Sequence, residues 1–138
     1  MTIHSPRRFR EAPAAGFDGV FDWDFILPAF RPTNIKPMDF DGVVERGGQF
    51  LVFETKAHEG CEVPRGQKLT LEAAVRTGFF TVVFLYGKTL RDVDTVGWFD
   101  IWRTTTKGEF TTEHVVGGSA EVVDFTRRWF EWASQRQI

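Results

Sequence analysis

Asp39, Asp41, Glu54 and Lys56 stand at the outer ends of two apolar runs, "DFDGVVER" and "QFLVFETK", which are joined by Gly47-Gly48. Two glycines between such runs signal a two-residue hairpin turn of the primed type. That turn sets Arg46 opposite Gln49. Counting outward from it sets Asp41 opposite Glu54 and Asp39 opposite Lys56. Residues two apart share a face of a strand, so the four charges meet on one face at one end of the ribbon, with opposed Cβ atoms about 5 Å apart. Val43 and Val52 continue that face, while Gly42, Val44, Leu51 and Phe53 form the other. Facing carboxylates repel unless a shared proton, a cation or a metal ion offsets their charge. Two chemistries are open. One is a solvated charged edge in which Asp39 and Lys56 form a cross-strand ion pair. The other is a divalent-metal site. Mg²⁺ takes hard oxygen ligands and often needs only one or two carboxylates, with water and substrate phosphate completing its shell. Asp41 and Glu54 supply that minimum.

The elements around this ribbon decide what else can reach it. "AHEGCEVPRG" reads as a loop, and Arg65 to about Thr77 as a helix stopped by Gly78. Gln67, Leu71 and Ala74 lie on one side of that helix. Leu71 and Ala74 face the sheet, which puts Gln67 on the inward face of the first turn. Taken alone, Gln67 reads as a helix-start residue bonded to the preceding loop. "FFTVVFLYG" predicts a fully buried central strand reached by a crossover. "VGWFDIWRTTTKGEFTTEHVV" predicts a second hairpin turning at Lys107-Gly108. Phe99, Ile101, Phe110 and Val116 are expected on one of its faces, and Trp98, Trp102 and Val115 on the other. Ser119 is expected to cap a final helix running to about Gln135, with Val122, Phe125, Trp129 and Trp132 as its apolar stripe. Ahead of the first hairpin, "FDGVFDWDFILPAF" predicts a short helix ending before Pro28, and "RPTNIKP" a turn-rich connection. Residues 1–16 read as a flexible arm.

Asp41, then Glu54-Thr55-Lys56, then Gln67 in the following helix resembles the PD-(D/E)xK nuclease superfamily, closest to small phage- and repair-type members whose third motif is a helical Gln. The resemblance covers roughly Pro37 to Gly87. Glu-x-Lys alone is a weak signal. Specificity comes from its combination with the Asp, the hairpin register, and the Gln-bearing helix before an apolar strand. Phe40 stands where the family has Pro before its Asp, and Leu71 stands where some members have Tyr. An extra acid that many members carry upstream has candidates in Glu11, Asp18, Asp22 and Asp24. The resemblance implies an α/β, restriction-endonuclease-like core: a strand hairpin, helix and strand in a mixed sheet flanked by helices, with a second hairpin and a C-terminal helix added. It also implies Mg²⁺- or Mn²⁺-dependent hydrolysis of DNA phosphodiesters. Asp41, Glu54 and the main-chain carbonyl of Thr55 would hold the metal. Lys56 would touch the attacking water or a phosphate oxygen, and Gln67 would orient the water, Lys56 or the backbone near the metal.

Composition sets outer limits. The chain has 138 residues and is read as a single domain, with 42% hydrophobic and 15% aromatic residues and a formal net charge of -2. A nucleic-acid partner must therefore be met by a local basic patch or by bound cations. Arg65 and Lys68 flank Gln67 at a helix N-terminus, a setting that suits phosphate. Arg7, Arg8 and Arg10 in the arm and Arg127-Arg128 in the last helix are further candidates. Trp98 and Trp102 read as core against the Trp-rich face of the last helix, with base stacking or a subunit interface as the functional alternatives. His4, His58 and His114 lack zinc-like spacing with Cys61, and His58 and Glu59 could border a substrate. The single Cys excludes an internal disulfide, and no apolar stretch reads as a signal or membrane span, so a cytoplasmic protein is expected. No phosphate-binding Gly-rich loop of the nucleotide-hydrolase type is present. The expected partner is DNA, with no membrane and a homodimer plausible. A catalytically silent nuclease-fold module binding DNA or protein, and a purely structural ion-pair patch, are the rival readings.

Overall fold

The computed structural model describes residues 23–56, 63–87 and 96–136. The expected arm, the candidates Glu11, Asp18 and Asp22, and the loop residues His58, Glu59 and Cys61 lie outside them. The chain divides into two compact units, Met1–Asp41 and Gly42–Ile138.

In the first unit a 3-10 helix spans Asp24–Phe30 and contains Pro28. The expected stop before Pro28 is thus corrected. A helix of under three turns loses one donor to proline, and the main chain goes on with the amide of Arg31 donating to the carbonyl of Pro28 at 3.3 Å.

The second unit is α/β. Strands β1 (Gly42–Arg46), β2 (Gln49–Lys56), β3 (Phe80–Gly87), β4 (Val96–Thr104) and β5 (Phe110–Val116) form one mixed sheet in that order. Helix α1 (Arg65–Arg76) crosses from β2 to its parallel neighbour β3, and α2 (Ser119–Ser134) closes the chain. The other strand pairs are antiparallel.

The first hairpin has the expected register, from Arg46 opposite Gln49 to Gly42 opposite Phe53. Gly47 and Gly48 have φ of 61° and 78°, the conformation a primed turn demands. At Gly47 glycine is required twice over, because a Cβ there would sit 2.3 Å from the carbonyl oxygen of Ala133 in α2. Arg46 fastens the same corner, its Nε donating to Ser134 Oγ at 2.9 Å. The ladder ends at Gly42–Phe53, so the expected cross-strand pairs Asp41–Glu54 and Asp39–Lys56 are not among its pairs. A glycine at the strand start and two acids beyond it weaken pairing on this edge strand.

Each face of the sheet has its own helix. Leu51, Val83, Phe99 and Ile101 meet Phe125, Trp129 and Ala133 of α2 in one buried cluster, with Val122 packed against it. The stripe of α2 is therefore Val122, Phe125, Trp129 and Ala133. Trp132, expected in it, is 45% exposed and lies under the guanidinium of Arg136. The helix is capped by Gly118 rather than Ser119, and Glu121 accepts from the Gly118 amide at 3.0 Å. On the opposite face α1 buries Leu71 and Val75 completely, so its inward line is Gln67, Leu71 and Val75, with Ala74 half-buried. Each such side chain contributes about 1.5–3 kcal/mol by leaving water. Gly78, with φ of 84°, follows the end of α1 as expected.

The second hairpin forms with a different register from the expected one. Residues 105–109 make a five-residue connection, and Thr104 pairs with Phe110. A two-residue turn at Lys107-Gly108 would have shifted pairing by one position and exchanged the faces of β5. Trp98, Trp102, Phe110 and Val116 consequently share one face, while Phe99, Ile101 and Val115 share the α2 face. The two Trp side chains are half-buried, and their partners are Tyr86, Phe84 and Phe110 rather than α2.

Candidate functional site

Glu54 and Lys56 are two apart on β2 and so project to the same side of the sheet, the side covered by α1. They are 2% and 8% exposed. Beyond Phe53 the strand β2 is paired with β3 alone. Its outer end is buried even though it carries charge. A carboxylate and an ammonium taken so far from water cost several kcal/mol unless hydrogen bonds and opposite charge offset them.

Gln67 supplies that offset. Its Nε2 donates to Glu54 Oε2 at 2.8 Å, and its Oε1 accepts a hydrogen bond from Lys56 Nζ. An ammonium only donates and an ionised carboxylate only accepts, so the two partners dictate which way the amide points. The expected bond from Gln67 to the preceding loop is corrected: both ends of the amide go to β2. The reason lies in the geometry of α1. Gln67 is one turn above Leu71, whose burial presses that face of the helix onto the sheet.

The other expected residues fall as follows. Thr55 alternates with Glu54 and Lys56 and pairs with Leu85 of β3. Arg65 and Lys68 are exposed on the first turn of α1, flanking Gln67. Asp41 is half-exposed and immediately precedes β1, and Asp39 is exposed. Among the described residues no group of three or more His, Cys, Asp and Glu side chains is gathered. Magnesium does not require one, since it is held by one or two carboxylates together with substrate phosphates and water. The carboxylate oxygens of Glu54 are of the ligand type that magnesium takes.

The strand register extends this face in a way the sequence reading missed. Glu54 pairs with Phe84, Phe84 with Asp100, and Asp100 with His114. Directly paired residues share a face, so a single transverse row runs from Glu54 on β2 to His114 on β5. The neighbouring row contains Lys56, Tyr86, Trp98 and Val116. Tyr86 and Trp98 stack with ring centroids 5.3 Å apart. Asp100 and His114 are in contact, Oδ1 to Nδ1, at 2.6 Å.

No protein-family model, curated protein or solved structure matches the chain.

Proposed function

We propose that the chain is a metal-dependent nuclease that hydrolyses phosphodiester bonds in DNA, built on a restriction-endonuclease-like core. The observation that carries this reading is the Glu54–Gln67–Lys56 bridge. A carboxylate, an amide and an amine from the Glu-x-Lys strand and the following helix converge on one buried point. The order of hairpin, crossover helix and parallel strand accords with the same reading.

Glu54 and the main-chain carbonyl of Thr55 would hold Mg²⁺ or Mn²⁺. Asp41 is kept as the second carboxylate on the strength of the sequence pattern. When bound, the ion supplies Lewis-acid polarisation of a phosphate oxygen and lowers the pKa of water. Lys56 is held by Gln67 in one orientation, and its remaining protons can be donated to a phosphate oxygen or to the attacking water. Gln67 couples the two charged groups, so that moving one displaces the other. Arg65 and Lys68 on the exposed turn beside Gln67 would neutralise phosphates of the bound strand.

One observation favours a second reading. Gln67 already bonds both Glu54 and Lys56, and a bridge of this kind can serve folding alone in a catalytically silent module that binds DNA or a protein. Incubation with supercoiled, linear, single-stranded and branched DNA, in Mg²⁺, Mn²⁺ or chelator, separates the two. Metal-dependent cleavage supports the nuclease. DNA binding that persists in chelator, with no cleavage of any substrate, supports the silent module.

A further inference from the structure

The Asp100–His114 pair lies on the sheet face that carries Glu54 and Lys56, yet the hydrolytic centre proposed above makes no use of it. Asp100 and His114 are opposed on adjacent antiparallel strands, and their side chains meet at 2.6 Å. A carboxylate accepts and does not donate, so Nδ1 of His114 carries the proton of that contact. The imidazole is thereby fixed in one orientation. Its Nε2 has no partner among the described residues, and the His114 side chain is 57% exposed. On the inner side the ring rests against Trp98, with centroids 6.4 Å apart, and Trp98 in turn stacks on Tyr86. A histidine braced in this way by a carboxylate and an aromatic wall presents Nε2 as an acceptor when neutral, and as a donor to an anion only as the imidazolium. Once protonated, it makes a charge-assisted hydrogen bond through Nε2 while Asp100 balances the charge.

Distance decides what His114 can do. It stands three strands from Glu54 along the transverse row, roughly 14 Å at about 4.8 Å per strand. A general acid must come within about 3 Å of the atom it protonates, so His114 does not serve the phosphate held at Glu54 and Lys56. The same span exceeds the separation of neighbouring phosphates on one strand, so the two points would meet phosphates of different nucleotides. We propose that His114, positioned by Asp100, is a subsite that binds a backbone phosphate of the nucleic acid a few nucleotides from the one held at Glu54 and Lys56. The proposal rests on the nuclease reading for its ligand, but its test does not require cleavage.

The test measures binding of a labelled single-stranded oligonucleotide and of a dinucleotide to the full chain by fluorescence anisotropy, in chelator and in Ca²⁺. It compares wild type, His114→Ala, His114→Gln and Asp100→Asn. Circular dichroism confirms the fold of each, and His114→Gln serves where His114→Ala does not fold. Where DNA is cleaved, kcat and KM are measured as well. Loss of one charge-assisted hydrogen bond should weaken oligonucleotide binding roughly tenfold. KM should rise with kcat little changed, and dinucleotide binding, which cannot span the row, should be unaffected. Oligonucleotide affinity equal to wild type in both the His114 and Asp100 variants overturns the subsite. Cleavage that persists with unchanged KM overturns the subsite and leaves the nuclease standing. Weakened binding without cleavage by any variant or by wild type supports the subsite and counts against the nuclease.

Discussion

Gln67 Nε2 donates to Glu54 Oε2 at 2.8 Å, although the two residues belong to different elements and are 13 positions apart. The same amide accepts from Lys56. Gln67→Ala should therefore leave a buried carboxylate and a buried amine without their shared partner. The expected loss is about 1–3 kcal/mol of stability, read by urea denaturation. The same variant should lower DNA cleavage about tenfold to a hundredfold, the usual effect of removing a group that orients a metal ligand. A Gln67→Ala protein as stable and active as wild type would remove the bridge from the account.

Gly47 links the first hairpin to the end of α2. Gly47→Ala must adopt φ near 61° and place a methyl 2.3 Å from the Ala133 carbonyl oxygen. Positive φ alone costs about 1–2 kcal/mol for an L-residue, and relieving the clash requires the hairpin or helix to shift. A thermal melt should show a substantially lower midpoint than for Gly78→Ala, where φ is also positive but the space around the Cβ is open.

Trp129 and Trp132 distinguish the observed face of α2 from the expected one. Trp129 is 6% exposed and within the buried cluster, whereas Trp132 is 45% exposed. Trp129→Ala should cost about 3–5 kcal/mol, a large share of the stability of an ordinary domain. Trp132→Ala should cost far less. Equilibrium denaturation of the two variants side by side checks the ranking.

Arg65 and Lys68 are exposed on the first turn of α1. If each meets a phosphate, the double change to Ala should weaken DNA binding at low salt. It should also reduce the slope of log affinity against log salt by about 1.4–1.8, at roughly 0.7–0.9 per contact. An unchanged slope would place them off the DNA path.

Much of this architecture was legible from local signals. Gly47-Gly48 fixed both turn type and register of the first hairpin, because a two-residue primed turn leaves no freedom in pairing. Gly78 marked the end of α1, and the unbroken apolar run of β3 marked a central strand. The second hairpin was harder to read. Lys107-Gly108 resembles a tight turn, but the backbone closes over five residues, with the Thr105 amide donating to the carbonyl of Glu109 at 2.8 Å. That single-residue difference exchanges the faces of β5 and hides the Asp100–His114 contact, which only the correct register brings together. Trp132 was misplaced because large aromatic side chains dominate an apolar stripe, whereas the small Ala133 makes the closer approach to the hairpin. Gln67 was legible as inward-facing. Lys56 was among the groups it was expected to orient, whereas its bond to Glu54 was not legible, because it depends on how deeply Leu71 and Val75 seat the helix.

The most direct test of the central claim compares wild type with Glu54→Gln and Lys56→Ala on the same DNA substrates in Mg²⁺ and Mn²⁺, with chelator as control. Glu54→Gln keeps the side-chain shape and removes the charge, so the fold can persist while the proposed metal ligand is lost. The account predicts metal-dependent cleavage by wild type, abolished by chelator. It predicts at least about a hundredfold loss in each variant. Wild-type cleavage retained in both folded variants, or no cleavage by wild type with either metal, would contradict it.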